Sequence, residues 1–133
     1  MKVYIAGCFE SKARLELEAA RLERAGYTVL SSWLKEQPLQ RTGADDTATG
    51  TGEVTPDQAL AYAGRDLRAV KEADLFILDT LDINVRGGRE VEFGISLTRF
   101  IRRYIVGPNR NVFHEMANRT FDNWGLLHAY LRT

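Results

Sequence analysis

Cysteine is nearly missing: Cys8 stands alone in 133 residues. That excludes an intramolecular disulfide, and a reducing, cytoplasmic setting is expected. No apolar run approaches the length of a membrane span, and Val3 to Ala6, after Lys2, is too short for the core of a signal peptide. Excess charge is missing too, since 18 basic and 18 acidic residues cancel. A balanced chain offers no broad face to a nucleic acid polymer, and self-association meets little electrostatic resistance. There is no G-x-G-x-x-G and no Walker motif. His114 and His128 lack ligand companions, and Asp82-Ile83-Asn84 lacks calcium-loop spacing. No metal and no cofactor is expected.

What is present reads as one α/β domain over 1–133. A chain of this size buries roughly two-thirds of its unfolded surface, enough for a core without staples. Val3-Tyr4-Ile5-Ala6 predicts a buried first strand that Gly7 stops. Ser11 to Ala25 predicts a helix with an apolar set at Leu15, Leu17, Ala20 and Leu22 and a stop at Gly26. Tyr27-Thr28-Val29-Leu30 predicts the second strand. Thr55-Pro56-Asp57 combines an N-cap, a proline at the first position and a first-turn acid, so a helix runs from there to about Ala73. Its apolar stripe is Leu60, Ala63, Leu67 and Val70, continuing to Leu75 if the phase persists, with Asp66 at the stripe's edge.

Leu75-Phe76-Ile77-Leu78 predicts the third strand. A helix over about Arg89 to Ile101 follows, with Phe93, Leu97 and Phe100 on its buried face. Arg103 to Gly107 predicts a fourth strand, Asn111-Val112-Phe113 a loop or short helix, and Phe121 to Leu131 a C-terminal helix. Alternating strand and helix imply a doubly wound, mainly parallel sheet of four or five strands with right-handed crossovers, Rossmann-like or flavodoxin-like. Residues 36–54 carry Pro38, Gly43, Gly50, Gly52 and the run Asp45-Asp46-Thr47-Ala48-Thr49. They predict a long, mobile loop, read equally well as a lid or as a tolerated insertion.

The densest chemistry lies at Arg86-Gly87-Gly88-Arg89-Glu90-Val91-Glu92-Phe93-Gly94, after a strand that runs into Asp79 and Asp82. Open α/β sheets bind ligands beyond the carboxyl ends of their strands, so a site is expected here. Glu90 and Glu92 point about 200° apart on a helix, so one pocket takes only one of them. Periodicity alone does not choose, and both also fit as acids that complement a helix dipole. Gly88, with Arg86 or Arg89, suits a phosphate at a helix start, although Gly-Gly is also an ordinary loop. Gly7 ends its strand at the same edge. Phe9 and Trp33 lie in loops there, placed to stack on a base or to pack on the rim. Asp66 is either a site acid or a solvated partner of Arg65, Arg68 or Lys71. Cys8 reads by default as a buried thiol.

These residues, in this order, resemble the nucleoside 2-deoxyribosyltransferase family over most of the chain. The resemblance rests on Lys2 to Gly7, on Arg65-Asp66-Leu67 with Glu72 to Ile77, on Glu92-Phe93-Gly94, and on Asn111-Val112-Phe113 after Val106-Gly107-Pro108. It implies that Glu92 is the nucleophile, that Asp66 handles the proton of the nucleobase and that Tyr4 positions Glu92. Asn111 would contact the sugar, often from a neighbouring subunit, which implies a homodimer or larger homo-oligomer with shared sites. The partners implied are a nucleoside or nucleotide and a free base. An aspartate six residues before the nucleophile is part of the family pattern. Arg86 stands there instead, with Asp82 as a possible substitute from further back. A second branch of the superfamily hydrolyses nucleoside 5'-monophosphates, and Arg86 and Arg89 also suit that reading. A binding module that kept the fold without turnover is the non-enzymatic alternative.

Overall fold

The computed structural model describes residues 1–35, 55–83 and 87–133. Segment 36–54, expected as a long loop, and Arg86 lie outside the described residues. Five strands form one parallel sheet in the order β2-β1-β3-β4-β5: β1 (Lys2–Ala6), β2 (Thr28–Val29), β3 (Leu75–Asp79), β4 (Arg102–Val106) and β5 (Arg119–Phe121). Four helices accompany them: α1 (Lys12–Arg24), α2 (Pro56–Glu72), α3 (Gly88–Ser96) and α4 (Trp124–Leu131). No helix among the described residues is long and apolar enough to cross a membrane.

Period-two alternation sends neighbouring side chains of β1, β3 and β4 into two separate cores. Val3, Ile5, Leu75, Ile77, Tyr104 and Val106 pack with Leu15, Ala19 and Leu22 of α1 and with Trp124 and Leu127 of α4. Tyr4, Ala6, Phe76, Leu78 and Ile105 pack with Val70 of α2 and Phe93 of α3. The sheet is therefore covered on both faces, and β3 is buried along its whole length. The strand order reverses between β1 and β3. That topological switch point opens the crevice where ligands of such sheets bind.

The start of α2 is closed by its own residues. The Thr55 hydroxyl accepts the Gln58 N–H at 3.1 Å, and the Gln58 side chain accepts the Thr55 N–H at 2.9 Å. This reciprocal box, with Pro56 at the first position, satisfies donors that a helix start otherwise leaves open.

Several boundaries differ from the sequence-based expectation, each for a physical reason. Leu60 is 74 % exposed and Leu17 is also exposed, because each helix buries only the few positions that meet the sheet. The third helix stops at Ser96, so Phe100 falls beyond it and is exposed rather than buried. Phe121 belongs to β5, not to the last helix, which begins at Trp124 behind an Asn123 cap.

Candidate functional site at the sheet switch point

Tyr4 comes from the middle of β1 and is fully buried, its ring stacked on Phe76 at 5.8 Å. Its hydroxyl donates to Glu92 Oε2, on the second turn of α3. Burial, then the negative charges of Glu92 and Asp66, push the Tyr4 pKa well above its usual value. The phenol thus stays protonated and serves as a donor that holds one carboxylate oxygen. Asp66 is half-buried on α2, close enough for its charge to act on Tyr4. Arg65 grips Asp66 Oδ1 through Nε at 3.1 Å and Nη2 at 3.0 Å. Tyr4, Asp66 and Glu92 therefore gather where β1, α2 and α3 meet.

Glu90 serves the other flank of α3. Its carboxylate lies 2.6 Å and 2.9 Å from His114 Nε2, and Asn111 Nδ2 donates to it at 3.3 Å. His114 is buried, and its Nδ1 accepts the Arg110 N–H at 3.0 Å. That fixes the proton on Nε2, which donates to Glu90. Asn111 also caps the 3-10 turn at Val112–Met116, its Oδ1 accepting from Phe113 N–H at 2.9 Å. Asn111 thus stands with Glu90 and His114, while Tyr4 stands with Glu92.

Arg89 binds the two strand ends together across the switch point. It is buried, and its Nη1 donates to the Asp79 carbonyl at 2.9 Å and the Asp82 carbonyl at 2.8 Å, with Cys8 Sγ at 3.3 Å. Burial raises the Cys8 pKa despite the nearby guanidinium, so the residue is a thiol, not a thiolate. Gly88 opens α3 behind Gly87, whose φ of +92° is a left-handed conformation that glycine adopts without strain.

On the opposite face of the sheet, Asp79 is buried and fully engaged. Arg14 donates to it at 2.7 Å and 3.0 Å, Trp124 Nε1 at 2.7 Å and the Leu81 N–H at 3.0 Å. Asp82 accepts from Ser11 and from Arg14 at 2.9 Å, and those bonds, Ser11 first, hold its carboxyl below the usual range. Gly7 leaves room for the first helix: a Cβ there would lie 2.6 Å from Leu15 Cδ1. Phe9 is half-buried in a 3-10 turn. Trp33 is half-buried against both cores and donates from Nε1 to the Ile5 carbonyl at 3.0 Å. Arg14, Ser11, Trp124 and His114 were not read from the sequence as parts of this region, since each partner lies 24 to 71 residues away. Among the described residues no group of three or more His, Cys, Asp or Glu converges as a metal site.

No protein-family model matches the chain, and no curated protein matches it in sequence. In structure it is similar to a 2-deoxyribosyltransferase from the psychrotolerant bacterium Bacillus psychrosaccharolyticus. The TM-score is 0.71 at 19 % identity, with 98 % of this chain and 92 % of that one covered. It is also similar to the CMP N-glycosidase BcmB of Clostridium botulinum, with a TM-score of 0.59, 19 % identity and full coverage of both chains. Likeness at this identity shows the fold alone: the α/β architecture of this chain matches that of both enzymes.

Proposed function

We propose that this protein is an enzyme that cleaves the N-glycosidic bond of a 2'-deoxynucleoside and transfers the deoxyribosyl group to a second nucleobase. The observation that carries this reading is the buried Tyr4 hydroxyl donating to Glu92 beside Asp66. Breaking the bond develops positive charge on the anomeric carbon and negative charge on the leaving base. Glu92 attacks the anomeric carbon, and its carboxylate becomes a glycosyl ester. The departing base takes its proton on the Asp66 side, and an incoming base displaces Glu92 and yields a proton there in turn. Tyr4 holds the carboxylate oxygen that does not attack. Arg89 ties together the loops that frame the crevice. Gly7, Phe9, Trp33, Asp82 and Gly88 edge the same end of the sheet. The expected kinetics are ping-pong. Incubation with deoxyinosine and adenine yields deoxyadenosine; its absence on chromatography sinks the transfer reading.

A second reading is hydrolysis of a nucleoside 5'-monophosphate, with water as acceptor. It is favoured by Arg86, which stands where the family pattern has an acid. Release of base from a nucleotide with no second base present distinguishes it from transfer.

The reading also includes a homo-oligomer in which Asn111 of one subunit reaches a neighbour's site. Its support is the exposure of Val112, Phe113 and Met116 beside Asn111. Sedimentation should show a dimer or larger species for the wild type and a monomer for Phe113→Asp. A wild-type monomer at micromolar concentration removes the shared-site idea.

A further inference from the structure

Arg65 and Asp66 are consecutive on α2, so their side chains leave the helix about 100° apart. The arginine nevertheless folds back onto its neighbour, with Nε at 3.1 Å and Nη2 at 3.0 Å on the single oxygen Oδ1. Its guanidinium also lies over the Tyr62 ring, 5.2 Å from the ring centroid. The two side chains are 30 % and 22 % exposed, so the pair is mostly withdrawn from water.

The Arg65 charge is felt at the site itself. Burial first, then Glu92 and Asp66, raise the Tyr4 pKa, and Arg65 works against them. Helix α2 packs against β1 and α3, which bring Tyr4 and Glu92 to this corner. Of the other charged residues on those two elements, Lys2 lies at the far end of its strand. Glu90 pairs with His114, and Arg89 binds the Asp79 and Asp82 carbonyls.

An exposed ion pair holds its partners loosely. Two donors on one oxygen fix the direction of a carboxylate as well as its charge. Their attraction is strong for the carboxylate and weak for the neutral acid. In the transfer proposed above, the electron pair of the N-glycosidic bond passes to the base and Glu92 bonds to the anomeric carbon. The Asp66 proton goes to the departing base. Asp66 is then a carboxylate beside the Arg65 cation until the incoming base returns a proton to it.

Resting on that transfer reading, we propose that Arg65 is a positioning residue for the base-side acid: it aims the Asp66 carboxyl and stabilises the carboxylate left when the proton has gone to the leaving base.

The test measures base release from deoxyinosine across pH, in single turnovers of the full chain, for wild type, Arg65→Gln and Arg65→Lys. Loss of the guanidinium makes Asp66 a weaker acid. Arg65→Gln therefore lowers the low-pH plateau about tenfold and moves the limb where Asp66 deprotonates up by about one pH unit. Arg65→Lys keeps the charge without the fork, so its limb stays near wild type while its plateau falls partway. A folding defect lowers the plateau without moving the limb. Carbon-13 labelling of the aspartate carboxyls reads the same shift directly at Asp66, whose signal is identified by its absence in Asp66→Asn. A limb and an Asp66 midpoint unchanged in Arg65→Gln overturn the proposal, whatever the plateau does. A wild type that releases no base overturns the transfer reading instead, and the Asp66 midpoint then still decides whether Arg65 holds the carboxylate.

Discussion

Glu92→Gln is expected to lower turnover by on the order of 10⁴-fold while leaving the protein folded. The substitution keeps the shape of the side chain and an oxygen for the Tyr4 hydroxyl, but it removes the charge that would trap the anomeric carbon. Loss of a nucleophile cannot be made up by the rest of a site, because the acid at the base has no intermediate to act on. Tyr4→Phe leaves the carboxylate in place and frees one oxygen, so its loss is smaller, about tenfold to a hundredfold. The order of the two losses is the informative part. Glu90→Gln serves as the control, since Glu90 pairs with His114 on the other flank of α3. Single-turnover assays with a deoxynucleoside, read by base release, compare all three. If Glu90→Gln falls as far as Glu92→Gln, the assignment of the nucleophile is wrong.

Gly107→Ala is expected to cost about 3–5 kcal/mol of stability. Gly107 follows β4 at the point where three strand ends meet. Its N–H donates to the Phe121 carbonyl at 2.8 Å, and the preceding Val106 carbonyl accepts the Thr80 N–H at 2.9 Å. Its φ is +119°, a left-handed conformation that strains any other residue. A Cβ there would lie 2.5 Å from Thr80 Oγ1, 2.8 Å from Leu81 N and 2.9 Å from Thr80 C. Two of those three are backbone atoms, which cannot swing aside. Strain and overlap therefore add. At roughly 3 °C per kcal/mol for a domain of this size, the melting temperature falls by about 10 °C. Gly94→Ala is the matched control, because a Cβ there meets nothing within 4 Å inside a helix. It should be neutral or slightly stabilising. Denaturant titration of both variants decides, and a Gly107→Ala cost under about 1 kcal/mol would refute the crowding argument.

How much of this was legible in the sequence depended on whether the signal was local. The apolar run at β3, the Thr55-Pro56 start of α2 and the alternation of strand and helix are short-range patterns, and each formed as expected. The separation of Glu90 from Glu92 was legible too, since helical geometry alone decides it. The fifth strand was not. Arg119-Thr120-Phe121 has only Phe121 partly buried, so no alternation announced it. Periodicity also overreached at Leu60 and Phe100, because an apolar residue in phase is not obliged to be covered. Asp79 carried a local hint, being an acid at the end of a buried strand. Its partners Arg14 and Trp124 are brought to it only by the fold. The pairing of Glu90 with His114 is likewise a tertiary event, which no spacing rule reports.

The capping box on α2 has a consequence for how such a protein can change. Thr55 and Gln58 close that helix start between themselves, so two of its polar end groups are satisfied by the helix's own residues. A lineage can therefore rewrite, lengthen or trade the stretch before Thr55 while the helix that carries Asp66 still winds in the same register. Change can accumulate on one side of Thr55 while the winding of the helix holds on the other. The boundary between the two is a pair of hydrogen bonds.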